Sequence, residues 1–357
     1  MVVSSDVSNG PPAKQTEWNS LAQKARRYRF GIQAALLGVM TIVTAPVIVP
    51  FIWLITISLT DSSGGRIDTQ TVWYVLAVSV PVIFVLGVFN SYFPDARYRK
   101  RVNLLAMLAA VFGMYKIFEG KLHLENFGFF SSATIDSITR NGGYPTVWVP
   151  LINSLTIAIS VTILVVIVAT LAGYFISRFN FRGRKQCLQA LIILHSFPAH
   201  SLTIPIFLLM FWLGLLDRSI TVVFVLTALE LPFAIYIIKG FFDGVPWSIE
   251  MSAMTDGATR FQAFYKVVLP MVKNGALAIA VFAFIRGWGE YIFVTTLMIS
   301  NENWMMSTYI FVLADETKDV DYGLLAAVSV IYLLPTLIMY LLAQKQLSQL
   351  NISGVKG

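Results

Sequence analysis

The chain alternates long apolar stretches with short polar segments. A helix that crosses the hydrocarbon core of a bilayer needs about 20 apolar residues. Seven stretches reach this length with few charges, which is too long and too apolar for surface helices. They lie at about 31–59, 71–93, 151–177, 187–213, 220–242, 272–299 and 323–343. An eighth, 102–118, is marginal because Lys116 lies near its end, and it qualifies if that ammonium group reaches the membrane interface.

The composition excludes an ordinary water-soluble domain. Hydrophobic residues make up 57% of the chain and charged residues 13%, and the mean hydropathy is +0.72. Soluble domains carry about 25% charged residues. A single soluble core cannot hide this much apolar surface, so much of it must face lipid. The pattern therefore predicts an all-α, polytopic membrane protein with about eight transmembrane helices.

The positive charges favour one topology over its inversion. The net charge is +7, but Lys and Arg cluster in polar segments such as 14–29, 97–101 and 178–185 rather than forming a nucleic-acid-binding face. With eight spans these clusters lie on one side, and the positive-inside rule makes that side cytoplasmic. Both termini are then cytoplasmic, with polar tails at 1–30 and 346–357. Omitting 102–118 as a span would place 178–185 outside.

The sequence offers little for catalysis, metal binding or redox chemistry. There is one cysteine, Cys187, and the three histidines are not joined by a cysteine cluster, so we expect no metal site and no cofactor. Polar residues within the spans are scattered rather than grouped as in an active site. No Gly-x-x-x-x-Gly-Lys-Ser/Thr phosphate loop occurs, so any ATP hydrolysis belongs to another subunit.

The polar segment 244–271 predicts two short amphipathic helices. Pro246 suits the first turn of a helix, and Gly257 suits the left-handed residue that ends it. A second helix is expected from near Thr259 to Leu269-Pro270. The apolar faces are Trp247, Met251 and Met254 on the first helix and Phe261, Phe264 and Val268 on the second. Such a helical pair fits a groove on a partner protein, or alternatively lies on lipid headgroups.

The same segment resembles the EAA loop of ABC-importer permeases. In that family the pattern is Glu-Ala-Ala, three residues, Gly, nine residues, Ile, any residue, Leu-Pro. Here Gly257 is followed by nine residues and then Val267-Val268-Leu269-Pro270, while Met251 and Ser252 replace Glu and Ala, and Glu250 is one place early. The resemblance implies that the segment 246–270 contacts a separate ATPase. The residues it implies for this contact are Glu250, Met251, Ala253, Asp256, Gly257, Leu269 and Pro270.

Four further motifs resemble the carbohydrate-importer subfamily, the maltose-type second permease, over about 121–357. They are Leu124-Glu125-Asn126-Phe127, Asn153-Ser154-Leu155, Trp288-Gly289-Glu290-Tyr291 and Gly354-Val355-Lys356-Gly357. The resemblance implies a permease core of six helices. Residues 121–345 would form the transmembrane domain, and 31–120 would hold the first span plus a two-helix insertion.

The resemblance also implies a function and a set of partners. The chain is expected to be a permease subunit without catalytic chemistry of its own, in the inner membrane of a prokaryote. It would form the path for a carbohydrate or related polyol that a solute-binding protein delivers. The other partners would be a dimer of ATP-binding-cassette ATPases and a second permease subunit, with no nucleic acid.

Several polar residues within the spans are candidates for the substrate path: Glu230, Trp288, Glu290, Tyr291 and Asn153. Arg286 and Glu290 are four apart and can form an intrahelical ion pair, or Glu290 can face the path beside the two aromatic rings. Glu230 either lines the path or pairs with an arginine on another helix. A proton-coupled carrier using Glu230 or Glu290 is the alternative function.

Two more predictions concern packing. Asn153 serves either as a path residue or as packing between helices. His195 and His200 flank Pro198, and we expect both to bond backbone carbonyl groups that the proline frees.

Overall fold

The computed structural model describes residues 31–60 (apart from 33, 34, 37, 41 and 45), 69–92, 96–130, 145–314 and 320–353. Within these ranges every regular element is helical, and the only β pairing is an isolated bridge between Thr60 and Leu122. The predicted all-α class is confirmed. The predicted tail 1–30 and the terminal motif 354–357 lie outside the described residues.

The helices are numbered along the described chain. The first two, α1 and α2, are Gly38–Thr44 and Pro46–Ser58. The others are α3 Thr69–Tyr92, α4 Ala96–Phe118, α5 Trp148–Arg178, α6 Arg184–Ser196, α7 Thr203–Trp212, α8 Ser219–Asp243, α9 Trp247–Thr255, α10 Arg260–Ala263, α11 Leu269–Met271, α12 Lys273–Trp288, α13 Ile292–Leu297, α14 Met306–Leu313 and α15 Tyr322–Ser353. Short 3₁₀ turns lie at Leu124–Phe130, Ala199–Leu202 and Asn301–Asn303.

The membrane-spanning helices agree with a polytopic chain. Four helices in the described part are long and apolar enough to cross a bilayer, or up to seven if each bent pair is one span. The marginal stretch 102–118 is among the four, as Arg99–Phe118. The remaining predicted span, 71–93, corresponds to α3, which has 24 residues. The domain boundaries near 30, 120 and 345 stay predictions.

Three predicted spans are broken rather than continuous. The stretch 31–59 forms α1 and α2, which are bent by 58°. The stretch 187–213 forms α6 and then the helix Ala199–Trp212, which are bent by 88°. The stretch 272–299 does not continue past Trp288, because α12 ends there and the short α13 follows. The Glu290 carboxylate accepts a hydrogen bond from the Phe293 N–H at 2.9 Å. That bond satisfies an N–H at the start of α13, which stabilises the break.

The described residues divide into two compact units, and one of them comprises those up to Asn126 together with Asp321–Ala327. Its buried cluster is Ile57, Val72, Leu76 and Ala326. The Asn126 amide donates hydrogen bonds to the carbonyl oxygens of Thr60 at 2.8 Å and Ser58 at 3.1 Å. The Leu-Glu-Asn-Phe motif therefore fastens the chain after α4 to the end of the first span.

Phe127–Val320 and Val328–Gly357 form the second unit. The helices α5, α8 and α12 pack against one another and supply most of its core. Small residues allow close crossings. A Cβ atom on Gly173 would lie 2.6 Å from Ile238 of α8, and one on Gly287 would lie 2.9 Å from the Cα of Ala158 in α5. Such contacts let helix backbones approach closely inside a membrane.

The crossing at Gly287 predicts a large effect of one methyl group. Gly287→Ala forces α12 away from α5 and is expected to destabilise the protein by about 1–3 kcal/mol, the usual cost of overpacking. Gly240→Ala is the matched control, because a Cβ atom there meets nothing within 4 Å. The melting temperature of the purified protein in detergent measures both. Equal melting temperatures for the two variants would contradict the close crossing.

Candidate functional site

The predicted pair of amphipathic helices forms a compact knob of residues 247–271, in which α9 leads into α10 and α11. Gly257 has φ +93, a left-handed conformation that glycine adopts without strain. The N–H of Gly257 bonds the carbonyl of Met254 at 3.1 Å, and the N–H of Ala258 bonds that of Ala253 at 3.0 Å. These two bonds form a Schellman cap, so Asp256-Gly257 ends α9 as predicted.

The second helix of the knob begins with a capping box. Thr259 Oγ1 accepts a hydrogen bond from the Gln262 N–H at 3.2 Å, and Gln262 Oε1 accepts one from the Thr259 N–H at 2.9 Å. The turn between the two helices therefore has its backbone donors satisfied on both sides. These bonds hold the turn between the two helices in one conformation.

The second helix of the knob ends at Met271, one residue beyond the predicted stop at Leu269-Pro270. Phe264–Val268 form a π turn, in which the N–H of Leu269 bonds the carbonyl of Phe264. Pro270 is the second residue of α11, inside the continuous helical run Arg260–Met271. The helix continues to Met271 and bends by 74° before α12. One residue, Val272, therefore separates the knob from a helix of the core.

A buried ion pair holds the knob against α5. The Glu250 side chain is 0% exposed, and its Oε2 accepts a hydrogen bond from Arg178 Nε at 3.0 Å. The Tyr174 hydroxyl donates to the other carboxylate oxygen. Arg178 also donates to the Val245 carbonyl at 2.9 Å and lies over the Trp247 ring. The carboxylate expected at the ATPase contact is thus used inside the chain.

Part of the exposed surface of the knob is an apolar, aromatic ridge. Trp247 and Met251 are each about two-fifths exposed, while Phe261 is 71% and Tyr265 61% exposed. Phe264 and Val268, predicted on one face with Phe261, point the other way and are buried. The charged side chains Asp256, Arg260 and Lys266 are exposed around this ridge.

The other residues predicted for the contact lie across this surface. Met251, Asp256, Gly257 and Pro270 are exposed, while Ala253 and Leu269 are half-buried. The structure therefore brings the predicted set together in one knob, with Glu250 as its inward anchor.

Most candidate path residues are used for internal architecture. Trp288 is buried, stacks on Tyr332 with ring centroids 5.4 Å apart, and donates from Nε1 to the Tyr332 carbonyl at 3.0 Å. Glu290 is buried and pairs with Arg286 at 3.3 Å, so the predicted intrahelical ion pair is present. Tyr291 is half-buried against Phe311, with centroids 5.0 Å apart.

Asn153 and Ser154 hold the loop after α13. The Asn153 amide donates to the carbonyl oxygens of Glu302 at 2.8 Å and Trp304 at 3.1 Å. Ser154 Oγ accepts from the Met306 N–H at 2.8 Å. The Asn-Ser-Leu motif thus anchors a loop rather than presenting its amide to a ligand.

Glu230 differs from the other candidates. It is half-buried near the middle of α8, and it forms no hydrogen bond or ion pair with the part of the chain that the structure describes. Arg286 and His195 are the charged or titratable groups that act on it electrostatically. His195 stacks on Phe233, with centroids 4.8 Å apart, rather than bonding the carbonyl groups near Pro198 as predicted.

A second polar centre, which the sequence patterns did not predict, joins the loop before α8 to the loop after α13. Asp217 has φ +60, and its Oδ1 accepts from the N–H groups of Ile299 at 2.9 Å and Ser300 at 3.0 Å. The Asn303 amide donates to the same oxygen at 3.0 Å. These bonds lower the pKa of Asp217 from 3.8 to about 2. This clasp lies at the end of α8 opposite the knob. The sequence signal available for this turn was Asp217, three residues after Gly214, because aspartate tolerates positive φ better than most residues.

Comparison with known proteins assigns the chain to a family. The family described as "Binding-protein-dependent transport system inner membrane component" matches residues 166–349, which include the knob, α8 and α12. The chain belongs to this family.

Individual relatives agree with this family. The inner membrane ABC transporter permease protein YcjP of Escherichia coli K12 is 29% identical over 206 residues, 57% of this chain and 73% of the relative. The maltodextrin transport system permease protein MdxG of Bacillus subtilis 168 is 31% identical over 206 residues, 57% and 74% of the two chains. A chain of a bacterial ABC transporter involved in import of the acidic polysaccharide alginate shares the fold, with a TM-score of 0.62 at 18% identity over 90% of this chain and 97% of that chain.

Family membership confirms the resemblance found in the sequence. As an inner-membrane component the chain is multi-pass, and it is a transport subunit rather than an enzyme. Membership of this family implies three kinds of partner: an ATPase, a binding protein and a second permease.

The Glu250 anchor predicts an asymmetric mutational result in this permease. Arg178→Ala leaves the Glu250 carboxylate buried without its cation and is expected to cost about 3–5 kcal/mol of stability. The double variant Arg178→Met with Glu250→Met removes both charges and is expected to recover most of the loss. The melting temperature in detergent measures the stability of each variant, and protease cleavage near Gly257 measures how firmly the knob is held. An Arg178→Ala protein as stable as the wild type would contradict the anchor.

The clasp predicts a defined pH dependence. Because the folded-state pKa of Asp217 lies below its ordinary value, its stabilisation is complete above about pH 4 and is lost as the pH falls toward about 2. Asp217→Asn keeps an acceptor oxygen and tolerates positive φ, but cannot titrate. Hydrogen exchange at Ile299 and Ser300, corrected for intrinsic rates, should show extra opening below pH 4 only in the wild type. The same pH profile in both proteins would refute this assignment.

Proposed function

We propose that this chain is the permease subunit of an ATP-driven importer that moves a carbohydrate or related polyol, and that its knob docks on a separate ATPase. The observation that carries the proposal is the knob itself: a closed two-helix projection with an exposed apolar ridge, held in place by a buried ion pair. Residues 246–270 match the spacing of the family's EAA loop. An amphipathic ridge of this kind suits a groove on a protein partner.

The knob is placed to transmit movement into the membrane helices. Glu250 ties α9 to Arg178 and Tyr174 at the end of α5. The Tyr174 ring contacts Phe264 of the π turn, with centroids 4.5 Å apart. On the other side, Val272 alone separates α11 from α12. A displacement of the knob by an ATPase therefore reaches two helices of the core through two separate connections.

The cargo and the remaining partners complete the proposal. Relatives of this chain include a maltodextrin permease, and a chain sharing its fold comes from a transporter that imports alginate. A sugar or polyol delivered by an extracytoplasmic solute-binding protein is therefore the proposed cargo, and a second permease subunit would complete the path. The positive-inside pattern of the sequence supports a cytoplasmic position for the knob, the N-terminus and the C-terminus in this proposal.

A proton-coupled carrier is not favoured. The family is one of binding-protein-dependent transport. Glu290, one of the two carboxylates such a carrier would use, is buried, paired with Arg286 and bonded to the Phe293 N–H. Each of its two carboxylate oxygens therefore already has a partner within the chain, Oε1 with Phe293 and Oε2 with Arg286.

Replacing Gly257 tests the proposal. Gly257→Val places a β-branched residue at φ +93, which strains the turn of the knob by about 1–2 kcal/mol or more. We expect ATPase activity of the complex purified from its native membrane to lose its dependence on the solute-binding protein. Mass spectrometry of the wild-type complex should identify an ATPase, a second permease and a solute-binding protein.

The matched control is Gly183→Val. Gly183 precedes α6 and has φ +92, and a Cβ atom added there, as at Gly257, would meet nothing within 4 Å. The backbone strain is therefore equivalent but lies outside the knob. Coupling should survive in this variant. Recovery of a lone chain from the membrane, or equal coupling in both variants, would count against the importer.

A further inference from the structure

The described chain carries a group of polar and aromatic side chains on α6, α8 and α12 that the coupling knob does not use. Glu230 and Phe233 are three residues apart on α8 and therefore share a face. Phe282 and Arg286 are four apart on α12 and share a face in the same way. His195 lies in the last turn of α6. The helices α6 and α12 both pack against α8, which brings the three elements together.

The rings of this group are in contact. His195 stacks on Phe233, with centroids 4.8 Å apart and planes 20° apart. Phe282 meets Phe233 edge-on at 5.5 Å. His195 remains exposed and Phe282 is 36% exposed. The cluster therefore presents ring surface outward rather than closing on itself.

The charges of the group explain which way its open side faces. Glu230 is half-buried, without a hydrogen bond or ion pair to the described residues, and Arg286 and His195 act on it electrostatically. A carboxylate exposed to hydrocarbon is costly, so intramembrane acids face a water-filled cavity or the interior of an assembly. The open side of this group must then border a polar space within the complex, and not lipid.

We propose that His195, Glu230, Phe233, Phe282 and Arg286 form a cargo-binding site in this subunit that takes an uncharged sugar ring. The proposal rests on the importer function proposed above. Aromatic faces pack on the apolar C–H face of a pyranose, the carboxylate accepts hydroxyl hydrogen bonds, and the imidazole and guanidinium can donate them. The Arg286 guanidinium pairs with Glu290 and also acts electrostatically on Glu230, so two carboxylates share one cation. That balance disfavours an anionic sugar.

Cysteine accessibility tests the location of the site. Cys187 is the single cysteine and is replaced by alanine to give a blank background. His195→Cys and Phe282→Cys are then compared with Ile163→Cys, an exposed apolar position of α5. In native membranes a charged, water-soluble methanethiosulfonate should label positions 195 and 282 at least about tenfold faster than 163, because the reacting thiolate forms in water and not in hydrocarbon. Equally slow labelling at all three positions would overturn the proposal.

Protection by sugars tests the ligand class. Maltotriose, trehalose and diacetylchitobiose are added singly at millimolar concentration, and an oligouronate is the acidic comparison. At least one uncharged sugar should slow labelling of positions 195 and 282, with no effect of the oligouronate. Protection by the oligouronate alone, or by none of the sugars, would overturn the assignment to an uncharged sugar.

The outcomes separate this site from the proposed function. If an ATPase is recovered with the chain but positions 195 and 282 are not labelled, the proposed sugar site is excluded and the importer function stands. If positions 195 and 282 are labelled but no ATPase is recovered with the chain, the importer function is excluded. In that case the labelling would show a water-accessible site in a carrier of another class.

Discussion

Burial of the Glu250 carboxylate is the constraint on which the position of the knob in this permease depends. A carboxylate with no solvent contact is stable only if its charge and its oxygens are both satisfied. Arg178 supplies the charge and Tyr174 the second bond, and both belong to the last turns of α5. The arrangement fixes where α9 lies and leaves Trp247, Met251 and Phe261 on the outside. The shape of the exposed knob is thus set from its buried side.

Local chemistry made part of this structure predictable. Length and apolarity alone gave the spans, and the cap residue Gly257 and the Thr259–Gln262 pair act through bonds to neighbours a few residues away. The π turn at Phe264–Val268 has no such local signal, and its first residue, Phe264, packs against Tyr174 and Phe242, which are distant in sequence. The break after Trp288 likewise required knowing that Glu290 would bond a backbone N–H.

Polar residues inside the membrane were the least predictable. Sequence alone treats Trp288, Glu290, Asn153 and Glu230 alike, since each is a polar or aromatic group within an apolar stretch. Contacts separate them: Trp288 bonds α15, Glu290 starts α13, and Asn153 holds the loop at Glu302 and Trp304. Glu230 alone keeps an open side in the described chain. Which candidate remains available depends on partners distant in sequence, and a single sequence does not give those.

The bend at Val272, between α11 and α12, has a mechanical consequence. A single buried residue between α11 and α12 leaves no slack, and its own N–H and carbonyl both bond neighbouring turns, at Leu269 and Ala276. Flexible linkers absorb displacement by changing their end-to-end distance, whereas a one-residue joint cannot. The end of α11 and the start of α12 are therefore held at a nearly fixed distance. A displacement of the knob cannot be taken up as extra length at Val272, and it must move the start of α12.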